Sequence, residues 1–154
     1  MSIRTRLAVP AAVLAAAAGM AVGGVAVNAP SSAAVQSYRL DVNDCGQPYT
    51  QLCKRVPTVN TNTQQGRIVV EFTADRNHCS KIRAQIMFDG RVWGEKTLSA
   101  GQRDGSYYIP TSPGVHRVGV RAIGVPGGCN RGYLQAWGGN LRIETDRDAA
   151  NGIG

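Results

Sequence analysis

Arg67-Ile68-Val69-Val70-Glu71-Phe72-Thr73-Ala74 is the stretch that decides the fold. Ile68, Val70, Phe72 and Ala74 point one way and Arg67, Val69, Glu71 and Thr73 the other. That period of two belongs to a strand with one face on a core. Downstream, Ile82, Ala84, Ile86 and Phe88 repeat the pattern and run into Asp89-Gly90, a pair suited to a two-residue type I′ hairpin turn. The turn register sets Phe88 opposite Arg91 and Ile86 opposite Trp93, so Trp93 is expected on the apolar face.

Working outward, Ser37 to Val42 reads as a first strand with Tyr38, Leu40 and Val42 on one face. Cys45 to Gln65 is polar, interrupted by Pro48 and Pro57, and reads as irregular. Ser106 to Ile109 is a short strand ending at Pro110, and Thr111-Ser112-Pro113-Gly114 is a turn. Val115 to Ile123 is a strand with Val118, Val120 and Ala122 inward. In the last strand, Tyr133 to Thr145, the inward positions change from Leu134 and Ala136 to Leu141 and Ile143. Such a shift predicts a β-bulge at Gly138-Gly139 and turns Trp137 outward. Nothing has helical period. The expected fold is all-β, a small disulfide-stapled two-sheet sandwich of immunoglobulin-like type over residues 35–145, with a loose tail over 146–154. Trp137-Gly138-Gly139-Asn140-Leu141 resembles the Trp-Gly-x-Gly bulge of antibody variable domains, with the second Gly one place early.

The N-terminus reads as an export signal, so this domain is expected outside the cytosol. Arg4 and Arg6 precede an uncharged stretch from Leu7 to Val27, and Ala29-Pro30-Ser31-Ser32-Ala33-Ala34 offers small residues to a signal peptidase. Residues 1–34 are expected to be a signal peptide cut after Ala34, leaving no membrane span. The competing reading is a retained anchor, against which stand the scarcity of Leu and the presence of Pro10 and several Gly. Without Arg4 and Arg6, fifteen Lys and Arg face ten Asp and Glu, a net charge of +5.

Cys45, Cys53, Cys79 and Cys129 all follow the cut, and an even number in an exported chain reads as two disulfides. No CxxC pair or grouped His supports a metal site instead. Cys45 and Cys53 bracket a turn-rich loop whose ends should meet, which pairs them and leaves Cys79 with Cys129. In the expected topology Cys79 and Cys129 lie in loops at one end of the sandwich.

Signs of catalysis are scarce, and a non-enzymatic protein is expected. His78 reads as a solvated loop residue and His116 as a strand-end residue at the core rim. Ser80, Ser106 and Ser112 lack a nucleophile elbow, and no Gly-rich phosphate loop or other cofactor motif occurs. The outward face offers more. If the third, sixth and seventh strands lie side by side, Arg83, Gln85, Arg117, Arg121, Tyr133, Gln135 and Trp137 share one surface. Guanidinium forks, amides and aromatic rings suit anionic polymers or glycans of a bacterial cell envelope. A second candidate surface is the stapled loop end, with Arg76, Asn77, His78, Lys81, Gly127, Gly128, Asn130 and Arg131. Rigid loops there would equally suit an inhibitor of a secreted enzyme. Nucleic acid is disfavoured as a partner, since no interleaved basic and stacking motif recurs.

Overall fold

The computed structural model describes residues 34–146; the signal peptide expected over 1–34, but for its last residue Ala34, and residues 147–154 lie outside them. Eight strands form: β1 (Ala34–Val42), β2 (Thr58–Thr63), β3 (Arg67–Ala74), β4 (Ile82–Phe88), β5 (Arg91–Leu98), β6 (Tyr107–Pro110), β7 (Gly114–Gly124) and β8 (Trp137–Thr145). They make two antiparallel four-stranded sheets, β1-β8-β3-β6 and β2-β7-β4-β5. The sandwich is the one the alternating runs predict. Its strand order is that of a jelly roll, two interlocked Greek keys. The last strand therefore lies between β1 and β3, not beside β7 where an immunoglobulin order would put it. Among the described residues no helix is long and apolar enough to cross a membrane.

The core lies between the sheets. Ile68, Val70, Phe72 and Ala74 of β3 are buried, as are Ile82, Ala84, Ile86 and Phe88 of β4 and Val118, Val120 and Ala122 of β7. Burying each large apolar side chain contributes about 1.5–3 kcal/mol. Asp89 and Gly90 take left-handed φ angles of 46° and 80°, and Phe88 pairs with Arg91 as the type I′ turn requires.

Four local expectations fail. Thr58–Thr63, read as irregular, is strand β2, with Thr61 and Thr63 buried where an apolar alternation would show valines. Trp93 does not face Ile86: the register shifts there, Gly94 takes that position, and Trp93 stands 45% exposed, edge-on to Phe88. Gly138-Gly139 forms no bulge. β8 pairs without interruption with β1 and β3, so Trp137, Gly139, Leu141 and Ile143 all face inward. Trp137 is 3% exposed and edge-on to Phe72 at 5.8 Å, and Ala136 is exposed. Asp146, expected to open a loose tail, is 7% exposed, and its carboxylate accepts the amides of Gln64 and Gln65 at 2.9 and 2.8 Å and the Thr63 hydroxyl.

Asp104 gives the fold a pH-dependent weakness. Its Oδ1 accepts the Phe72 amide at 2.8 Å, and its Oδ2 is buried with no partner. Burial raises its pKa from 3.8 to about 6, with Glu71 adding repulsion and Lys96 opposing. The folded state thus holds this proton more tightly than the unfolded chain does, and stability falls as pH rises from about 4 through 6. Asp104→Asn keeps an acceptor for Phe72 and removes the buried charge. Urea denaturation should find it more stable than the native protein by about 1–2 kcal/mol at pH 7.5, with the gain gone near pH 4. A gain of equal size at both pH values would contradict this account.

Candidate functional site

The cysteines fix where the loops meet. Cys79, in the β3–β4 loop, bonds Cys129, in the β7–β8 connection, and Cys45 bonds Cys53, both pairings as the spacing predicts. Gly128 lets the two loops touch: its φ is +59°, and a Cβ there would sit 2.3 Å from the Cys79 carbonyl oxygen. Asn130 then locks the connection. It exchanges side-chain hydrogen bonds with Gln51 at 2.9 and 3.3 Å and accepts the Gly132 amide at 3.0 Å. The Cys45–Cys53 loop grips the same segment, because the Leu134 amide donates to Thr50 O at 2.9 Å and the Cys45 amide to Gln135 O at 2.8 Å. Tyr49 of that loop stacks on Tyr133, ring centroids 5.6 Å apart and planes 15° from parallel. Both disulfides therefore clasp one irregular stretch, Arg131 to Ala136, against the sandwich end.

Between this stretch, the end of β1 and the β3–β4 loop lies a cavity of about 530 Å³. Its walls carry Arg39, Asp41, Asn43, Asp75, Asn77, His78, Ser80, Arg131, Tyr133, Gln135 and Trp137, together with the Cys79–Cys129 bond. That volume lies within the range of small-molecule sites. Arg39 grips both carboxylate oxygens of Asp75, Nη2 to Oδ2 at 2.7 Å, and this bond holds the Asp75 pKa below its usual value. His78 is half-buried rather than solvated. Burial lowers its pKa, with the nearby Asp75 charge opposing, and its Nε2 accepts the Gly138 amide at 3.0 Å. That bond requires a lone pair on Nε2, so the ring is neutral with its proton on Nδ1.

The residues expected to share one outward face are divided between two places. Arg83, Gln85, Arg117 and Arg121 are on the outer side of β4 and β7. There Arg121 Nε donates to Gln85 Oε1 at 2.7 Å, and Gln85 Nε2 donates to Glu95 Oε2 at 2.6 Å. Arg83 pairs with the same Glu95 at 3.8 Å. Much of this side's polar capacity is spent on itself. Tyr133, Gln135 and Trp137 instead line the cavity at the stapled end, with Trp137 as core wall and not as an outward ring. Of the second expected surface, Asn77, His78, Asn130 and Arg131 line the cavity; Lys81, Gly127 and Gly128 line a shallower depression beyond the disulfide, and Arg76 another near Gly101. Arg39, Asp41 and Asn43 were missed, because only the sheet order carries the end of β1 to the cystine loops; Asp75, at the start of the β3–β4 loop, was missed as well.

These features define a disulfide-stapled jelly-roll domain with a polar end cavity. No family model matches the chain, and no curated protein matches it. Among solved structures it is similar to the CBM36-1 domain of a multidomain xylanase from the hindgut metagenome of Trinervitermes trinervoides. That likeness has 10% identity and a TM-score of 0.42, over 70% of this chain and 96% of that one. It is also similar to the infectious bursal disease virus VP2 subviral particle, at 12% identity and a TM-score of 0.41, over 75% of this chain and 33% of the viral one. The Gx strain of that virus gives 14% identity and a TM-score of 0.41, over 86% and 38%. The chain thus spans about a third of the length of the viral proteins.

Proposed function

We propose that this protein is a non-enzymatic binding module that works in an oxidising, extracytoplasmic compartment and takes a glycan-type ligand in the cavity at its stapled end. The carrying observation is the cavity's composition: amides, two carboxylates and guanidinium groups around an exposed tyrosine, beside two disulfides. Asn, Gln, Asp and Arg side chains bond hydroxyls in either direction, and the Tyr133 ring offers a stacking surface for an apolar sugar face. Fixing the loops beforehand lowers the ordering cost of binding. The two cystines are the form cysteines take outside a reducing cytosol.

Passing the purified protein over immobilised bacterial envelope glycans and anionic polymers tests the reading. Retention by a glycan should persist at about 0.5 M salt, where interactions between exposed charges are screened. Retention that vanishes with salt, or capture and inhibition of a secreted enzyme in place of a glycan, would contradict it.

A further inference from the structure

Four buried polar atoms of the described residues lack a hydrogen-bond partner, and two belong to neighbouring walls of this cavity: Trp137 Nε1 and His78 Nδ1. Both are donors. An indole N–H can do nothing else, and the Gly138 amide occupying His78 Nε2 leaves the proton on Nδ1. Leaving such groups unsatisfied costs about 1–3 kcal/mol each, so the pair favours an oxygen acceptor. Of the two carboxylates lining the cavity, Asp75 is held by Arg39 through both of its oxygens, and neither it nor Asp41 bonds these donors. Arg131 adds an exposed cation at the cavity wall, and without Arg4 and Arg6 the chain still carries fifteen Lys and Arg against ten Asp and Glu.

We infer that the ligand is an acidic saccharide whose carboxylate is received by His78 Nδ1–H and Trp137 Nε1–H, with Arg131 at the wall. This rests on the reading of the cavity as the glycan site. A carboxylate accepts hydrogen bonds without presenting a proton that needs an acceptor of its own, which suits a pair of donors better than a hydroxyl does. Both nitrogens are covered by their neighbours, so admission requires the side chains around them to move. The Arg131–Ala136 wall of the cavity lies outside any strand.

The chain has two tryptophans and two histidines, which makes the test clean. Trp93 and His116 lie at the opposite end, near the Asp89-Gly90 turn, and serve as internal controls. The ¹⁵N-labelled protein is titrated with an oligogalacturonate and with its carboxyl-reduced neutral counterpart, following the indole and imidazole resonances. The acidic probe should move the Trp137 Nε1–H signal downfield and perturb His78 while Trp93 and His116 stay still. It should bind about tenfold or more tightly than the neutral probe, and His78→Ala should remove that preference. Equal binding of the two probes would overturn the carboxylate assignment and leave the glycan reading standing. So would binding of the acid with Trp137 unmoved. Failure of both probes on a protein that still retains an envelope glycan overturns this inference alone; failure of every glycan overturns both.

Discussion

Trp137→Ala is expected to destabilise the domain by about 3–5 kcal/mol in urea denaturation, the cost of truncating a large buried aromatic. For a domain of this size that is roughly a 10–20 °C fall in Tm. Trp137 is 3% exposed, continues the inward series of Leu141 and Ile143, and meets Phe72 edge-on. Trp93→Ala should cost under about 1 kcal/mol, since that ring is nearly half exposed and leans on Phe88 alone among the aromatics. The two tryptophans thus invert the roles that hydropathy gives them. Should Trp137→Ala keep native stability while Trp93→Ala unfolds the protein, the β8 register described here is wrong.

Removing the Cys79–Cys129 bond by Cys79→Ser with Cys129→Ser should cost about 4 kcal/mol in the chain-entropy model, because the bond closes a separation of 50 residues. The Cys45–Cys53 bond spans 8 residues and should cost nearer 2.5 kcal/mol. The longer bridge is also a wall of the cavity, so its loss should weaken ligand binding even under conditions where the variant stays folded. Denaturation curves of the two double variants, with binding measured well below their midpoints, check both statements. A larger stability loss from the shorter bridge would show that loop entropy does not govern these bonds.

What could be read from the sequence follows from which residues carry a hydropathy signal. β3, β4 and β7 alternate in residues that water rejects, and both cystine pairings follow from loops that must meet. The failures share a cause. Gly139 stands at an inward position whose space is filled by Phe72: a Cβ there would fall 2.4 Å from its Cζ. Gly94 stands opposite Ile86 under the Tyr107 ring, where a Cβ would fall 2.2 Å from Cε1. A glycine at an inward position, its space taken by an aromatic ring, is silent in an alternation pattern. The reading frame then slips by one, turning Trp137 out and Trp93 in. β2 is silent differently: Thr61 and Thr63 are inward-facing polar residues, and Thr63 earns its place by bonding Asp146 and the turn amides of Gly66 and Arg67. The half of the site on the cystine loops was accessible from cysteine spacing. Arg39, Asp41 and Asn43 were not, because pairing β1 with β8 is a long-range choice that no local pattern records.

The central claim is that ligand enters the stapled end and not the arginine-bearing sheet face. It is tested most directly by calorimetric titration of a retained glycan against two double variants: Asn77→Ala with Tyr133→Ala in the cavity, and Arg117→Ala with Arg121→Ala on the sheet. Asn77 and Tyr133 are exposed, so the cavity pair should leave the fold intact. The cavity pair should lose affinity at least about tenfold, as the removal of one stacking ring and one amide implies, while the sheet pair stays within about twofold of the native protein. The reverse result, binding lost with Arg117 and Arg121 and retained without Asn77 and Tyr133, would contradict it.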